Sequence, residues 1–268
     1  MVQGDTHGFD HKSFLVPPGK TIRLSEYDPG YCGGLEDKKE GKKALAEDVS
    51  ALAQAQALLW ASSERSVLII LQAMDAAGKD GAIKHVMSGV NPQGVDVTSF
   101  RAPNEEERLH HFLWRPMQHL PARGRIAIFN RSYYEEVLVV RVHPEFLEKQ
   151  YVPSKYRDKP LEDLWKARYE EINAFERIVA DSDTCVIKFF LNVSKREQKE
   201  RFLERLNNPE KHWKFEAADL RERKRWDEYQ EAFEDMLNAT STARAQTCPA
   251  PPTSRRARSS RRTESLTN

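Results

Sequence analysis

Leu71-Gln72-Ala73-Met74-Asp75-Ala76-Ala77-Gly78-Lys79-Asp80-Gly81 is the stretch on which the fold turns. Before it stands Val67-Leu68-Ile69-Ile70-Leu71, a short, branched, wholly apolar run that fits a strand buried on both faces of a parallel sheet. After it comes Ala82-Ile83-Lys84-His85-Val86-Met87, which reads as a helix. Buried strand, small-residue loop and helix form the context a phosphate-binding loop needs. Small residues let backbone N–H groups approach phosphate oxygens, and the helix N-terminus adds partial positive charge. Lys79 stands where a point charge can reach the transferring phosphates. The usual G-x-x-x-x-G-K-[ST] pattern is broken twice. Ala73 replaces the first Gly, and Asp80 replaces the Ser or Thr whose hydroxyl would hold Mg2+. Asp75 offers another oxygen for that ion. An ordinary strand–turn–helix corner would also use Gly here; the preceding strand and the Gly-Lys-x-Gly spacing favour phosphate.

Outward from this loop the theme repeats. Arg125-Ile126-Ala127-Ile128-Phe129 and Cys185-Val186-Ile187-Lys188-Phe189-Phe190-Leu191 are further buried-strand runs, and the alternating Val95–Phe100 reads as an edge or half-buried strand. Helical stretches lie between them, at about 105–120, 161–180 and 195–206, and a helical pattern begins at Lys43. Strands alternating with helices predict an α/β fold of three layers around a central, mostly parallel sheet. Residues 1–40 read as an arm broken by Pro17-Pro18-Gly19 and Pro29-Gly30. The α/β body spans 41–242, with a helical segment at about 194–225 that could act as a lid. Residues 243–268 read as a disordered Arg/Ser-rich tail, because the last 30 residues hold no Phe, Trp or Tyr.

Forty-two Lys+Arg against 41 Asp+Glu give a net charge of +1, which excludes a bulk polycation made to coat nucleic acid. The balance is uneven: residues 239–268 carry net +5, leaving −4 on the first 238. An Arg cluster could touch a polyanion, but a solvated tail is the simpler reading. No run approaches 18 apolar residues, so no transmembrane helix is expected. The polar Met1–His11 lacks the apolar core of a secretory signal. Cys32, Cys185 and Cys248 are far apart and without metal-ligand spacing, which points to a reducing cytoplasm.

Two further segments carry candidate chemistry. Phe129-Asn130-Arg131-Ser132-Tyr133-Tyr134-Glu135-Glu136 ends the third strand, and polar residues at the carboxyl end of a parallel strand face the crevice where α/β ligands bind. Arg131 offers a planar fork for a phosphate; a plain helix cap with a surface Arg is the alternative. In Lys195–Leu206, Arg201 and Arg205 share one helix face while Phe202, Leu203 and Leu206 take another. Such a helix could close over phosphates. Alternating charges more often make only a solvated face, and spacing alone leaves that open.

Taken together and in order, Met74–Gly81, Ser88-Gly89-Val90-Asn91-Pro92-Gln93-Gly94, Phe129–Glu135 and Pro209-Glu210-Lys211-His212-Trp213-Lys214-Phe215 resemble the family-2 polyphosphate kinases, from about Thr21 to Thr242. The resemblance implies a P-loop kinase fold that moves phosphate between inorganic polyphosphate and AMP, ADP or ATP, with guanine nucleotides a further candidate class. It implies Mg2+, or Mn2+ in its place. Asn130, at a position where many family members carry Asp, resembles the subgroup acting on both nucleoside mono- and diphosphates. Carried over by position, Asp75, Lys79, Asn130, Arg131 and Arg201 are the expected catalytic set. Ala76, Ala77, Gly78, Lys79, Asp80 and Gly81 cradle phosphate, Lys84, Lys188 and Arg205 extend the basic groove, and Asp75 and Glu136 hold the metal. Assembly into a homo-oligomer is also implied, without membrane or nucleic-acid partners. Rival readings are an ATP-dependent nucleoside monophosphate kinase and a polyanion-binding module built on the Arg tail.

Overall fold

Five parallel strands carry the structure, a computed structural model that describes residues 10–35, 37–214 and 217–250. Residues 1–9 of the arm, Phe215 of the last motif and 251–268 of the tail lie outside the described residues. The strands are β1 (Ser66–Gln72), β2 (Val95–Ser99), β3 (Ile126–Asn130), β4 (Thr184–Leu191) and β5 (Ala245–Ala250), in the spatial order β2-β3-β1-β4-β5. Every neighbouring pair is parallel. The four apolar runs form β1 to β4 within a residue or two, and β2 lies at an edge with Val97 half exposed.

Side-chain alternation along the central strands divides the apolar interior in two. Leu68, Ile70, Ala127, Phe129, Val186 and Phe190 face a large core with α3 (Leu161–Asp181) and α6 (Trp226–Thr240). Val67, Ile69, Ile126 and Ile128 face a smaller one, closed by Leu59 of α1 (Lys38–Ser62) and Ile83 of α2 (Lys79–Val86). These are the three layers the strand runs predict. Helix α1 starts inside the expected arm, at Lys38, because the Asp37 carboxylate accepts from the N–H groups of Lys39 and Glu40 at 2.7 and 2.8 Å. The rest of the arm is anchored to α6. The N–H groups of Ile22 and Leu24 donate to Asn238 and Glu234, and Val16 is buried.

The fold corrects two sequence expectations. The helix expected over 105–120 is two short turns, Glu105–Leu109 and Trp114–Met117. The first is held by a capping box between Asn104 and Glu107, and Pro116, which cannot donate a helix hydrogen bond, sits within the second. Part of the stretch expected to be disordered from 243 is ordered, since Ala245–Ala250 pairs with β4 as a fifth strand. The open edge of β4 offers backbone groups that any extended segment can satisfy, so no apolar run is required. The Ser88–Gly94 segment, part of the motif set, packs closely against α1. A side chain at Gly89 would meet Val49 Cγ1 at 2.5 Å, and one at Gly94 would meet Gln56 Nε2 at 2.4 Å. Gln56 itself bonds both the carbonyl and the N–H of Asn91, clamping α1 there.

Candidate active site

Strand pairing assembles the site. Leu71 lies beside Asn130 in the β1–β3 register, so the loop after β1 and the tip of β3 leave the sheet together. Both open on one cleft of about 2090 Å3 at the carboxyl ends of the strands. That is roughly twice the upper end of an ordinary small-ligand pocket and leaves room for two substrates. Gly78 takes φ 102° at the cap of α2, and Ala76 and Arg131 take φ 60° and 65°. Left-handed backbone at two non-glycine residues is strain the surroundings must hold, and here both lie in the cleft.

Lys79 opens α2 and is buried, with its ammonium donating to the carbonyls of Ala73 at 2.9 Å and Met74 at 3.4 Å. Burial, and then the Arg131 guanidinium, bring its pKa down to about 8. Arg131 reaches the Asp75 carboxylate at 2.5 Å and Glu135 at 3.2 Å. The Glu135 carboxylate raises the Arg131 pKa most, against the cost of burial. Asn130 donates its side-chain amide to Asp80 at 2.9 Å, so the strand tip and the loop share a hydrogen bond. Thus Asp75, Lys79, Asp80, Asn130 and Arg131 do come together.

The helices of the segment expected as a lid lie against this loop. Helix α4 (Lys195–Asn207) is capped by Ser194, and α5 (Ala217–Lys224) follows it. Arg201 donates to the carbonyls of Ala76 and Ala77 at 3.0 and 2.7 Å and pairs with Glu197 at 2.8 Å. Arg205 lines the same cleft and reaches Asp219 of α5 at 3.5 Å.

Two expected residues fall outside the cleft, and a third lines it with its carboxylate already engaged. Lys188 does not extend the groove. It is buried, and its ammonium donates to Glu176 at 2.7 Å, the Tyr134 hydroxyl at 3.0 Å and the Thr240 carbonyl at 2.6 Å. Burial lowers its pKa and the Glu176 charge opposes that. Lys84 is exposed on α2 and is not among the residues lining the cleft. Glu136 is bound by Arg168 at 3.0 Å and Gln150 at 3.2 Å, which occupies its carboxylate; Glu135, one residue earlier, is the acid that meets Arg131. Sequence reasoning also missed Arg101, Arg108, Arg115 and Lys149 on one wall and Lys38 and Lys42 on another. Arg108 and Arg115, seven apart, and Lys38 and Lys42, four apart, have helix-face spacing; the break between the two short turns hides the first pair, and the reading of 1–40 as an arm hides the second.

A family model described as polyphosphate kinase 2 matches residues 35–258. The chain belongs to the polyphosphate kinase 2 family. Membership makes it a kinase that transfers phosphate between inorganic polyphosphate and nucleotides. The match continues past Thr242, where the motif resemblance stops, in line with β5 being part of the fold. An ADP-polyphosphate phosphotransferase of Rhodopseudomonas palustris is 48% identical over 86% of this chain and 79% of its own length. An AMP/ADP-polyphosphate phosphotransferase of Meiothermus ruber is 46% identical over 86% and 82%. The crystal structure of polyphosphate kinase 2 from Arthrobacter aurescens superimposes with a TM-score of 0.82 at 36% identity, over 94% of this chain and 85% of that one. Kinases of this kind typically need a divalent metal. Among the described residues no three His, Cys, Asp or Glu side chains form a metal cluster. The carboxylates of the cleft are hard oxygen donors, and a cation that keeps its waters and takes oxygens from substrate phosphates fits so sparse a protein set. No helix among the described residues is long and apolar enough to cross a membrane.

Proposed function

We propose that the enzyme phosphorylates both nucleoside mono- and diphosphates from polyphosphate, with Mg2+ as its metal. The observation that carries this is the neutral Asn130 at the strand tip, hydrogen-bonded to Asp80 beside the phosphate loop. A carboxylate there would add a negative charge where the acceptor's terminal phosphate approaches. The neutral amide leaves room for the extra charge of a diphosphate, and it can donate a hydrogen bond to it.

The attacking oxygen is already an anionic phosphate oxygen, so no general base is needed. It forms a new P–O bond to the terminal phosphorus of polyphosphate while the bridging P–O bond breaks, and the shortened chain leaves as an anion. Catalysis then rests on in-line positioning and on cations around the phosphoryl group. In our reading Lys79 and Arg131 supply that charge, the loop from Ala76 to Gly81 supplies backbone N–H groups, and Arg201 and Arg205 bring the lid over them. Asp75 would hold Mg2+, with Asp80 nearby as a second oxygen donor. When bound, the metal would neutralise phosphate oxygens and organise the two substrates. The basic wall of Arg101, Arg108, Arg115 and Lys149 suits a chain that carries about one negative charge per phosphate unit.

The same proposal includes a cytoplasmic location, which the free Cys32 and Cys185 fit, and assembly of several copies, which light scattering tests. The substrate claim is tested by kcat/KM for AMP and for ADP at fixed Mg2+ and polyphosphate. Values within about tenfold of each other support it; turnover of one acceptor alone contradicts it.

A further inference from the structure

Helix α4 grips the back of the phosphate loop at three consecutive carbonyls. The side-chain amide of Gln198 donates to the Asp75 carbonyl at 3.0 Å, and Arg201 donates to those of Ala76 and Ala77. A trans peptide holds its C=O and N–H nearly antiparallel in one plane, and no peptide bond described here is cis. Turning three oxygens toward α4 therefore turns the N–H groups of Ala76, Ala77 and Gly78 away from it. That of Ala77 closes a turn on the Met74 carbonyl at 3.3 Å. Those of Ala76 and Gly78 are left directed away from the helix, in residues that line the cleft.

The positive φ of Ala76 shows why such a grip matters. A non-glycine residue pays for this conformation, and an unsupported loop would relax to a state whose amides point elsewhere. Gln198 is itself fixed. It is 1% exposed, and its carbonyl oxygen accepts from Arg223 of α5 at 2.8 Å, so its amide nitrogen must face the loop. Arg223 also donates to the Lys195 carbonyl at the start of α4.

We propose that Gln198 is a positioning residue through which the lid sets the direction of the phosphate-binding amides, in the order Arg223, Gln198, Asp75 carbonyl. The side chain need not touch either substrate. The proposal rests on the loop being the phosphate site and adds the residue that orients it.

The test is a double-mutant cycle on the full-length chain, with Gln198→Met, which keeps length and loses both polar atoms, and Arg223→Met, which makes no loop contact. Polyphosphate-dependent ATP formation from ADP is followed together with calorimetric binding of tripolyphosphate and the melting temperature of each variant. Gln198→Met is expected to lower kcat/KM and to weaken tripolyphosphate binding by about tenfold each, at temperatures where it is fully folded. Arg223→Met is expected to cost less, and the double variant no more than Gln198→Met alone, because both act through one hydrogen bond. If both measurements for Gln198→Met stay within twofold of the parent, or if the two losses multiply, the proposal is overturned. If Gln198→Met only melts earlier, with binding unchanged, the residue is merely structural and the proposal is again overturned. A parent protein that makes no ATP from ADP and polyphosphate would instead overturn the functional reading beneath it.

Discussion

Replacing Lys79 with Met should disable the enzyme and stabilise it. The ammonium is buried against two carbonyls, with Arg131 as a nearby like charge, and its pKa falls from the ordinary 10.5 to about 8. At about 1.4 kcal/mol per pH unit, keeping this amine charged costs the native state about 3 kcal/mol relative to the unfolded chain. The depressed pKa of a cation means that the unfolded chain holds the proton more tightly. Native stability therefore carries the whole penalty below about pH 8 and regains it as pH rises toward 10.5. Methionine removes the penalty and also the two hydrogen bonds, so we expect a net gain of about 1–2 kcal/mol at pH 7, or a few degrees in Tm. Turnover should fall by about 10²–10³, as when one preorganised donor is lost. In the parent, kcat/KM reports the free enzyme and should decline above about pH 8. The decline in kcat should come at higher pH, because bound phosphates favour the charged amine. Calorimetry of both proteins and initial rates from pH 6.5 to 9.5 check this. A flat kcat/KM up to pH 9.5, or a Lys79→Met protein that is less stable yet half as active as the parent, refutes the reasoning.

Asn130→Asp sets a second carboxylate against Asp80, where the present hydrogen bond spans 2.9 Å. It also faces the acceptor's terminal phosphate, and unit charges ~6 Å apart at an effective dielectric of 20 repel by about 3 kcal/mol before any metal compensates; because a diphosphate brings roughly one more negative charge, kcat/KM should fall more for ADP than for AMP, and equal losses contradict the charge argument. Lys188→Met strands Glu176 in the core and should cost about 3–5 kcal/mol in a denaturant melt, while the folded fraction keeps its turnover within about threefold. Deleting 251–268 should leave turnover on short polyphosphate within about threefold, whereas deleting 243–268 removes β5 and should lower Tm by several degrees. A chelator should abolish turnover and Mg2+ restore it, with Asp75→Asn needing more metal for half-maximal rate.

What was legible in the sequence was set by short-range pattern. The branched run Val67–Leu71 has no room for a polar face, so β1 and the loop after it could be read directly, and Asn130 followed from the run that ends at Phe129. Chemistry that depends on a distant partner could not. Lys188 looks like a basic strand residue until Glu176, twelve positions earlier on α3, is seen against it in the core. Glu135 and Glu136 are adjacent and alike in sequence; the tight turn after Ser132 sends one to Arg131 and the other to Arg168. β5 lacks any apolar run because the edge of β4 supplies its reason to be a strand. Gln198 sits in a run of charges on α4, and only the packing of that helix reveals that it faces the loop.

The most direct test of the central claim supplies ADP, inorganic polyphosphate and Mg2+ but no ATP, beside a control without polyphosphate. A polyphosphate-dependent kinase converts nearly all the ADP to ATP, in step with the polyphosphate added, and forms little or none in the control. Equal ATP in both reactions, matched by AMP as two ADP molecules disproportionate, would show that polyphosphate is not the donor and would contradict the account.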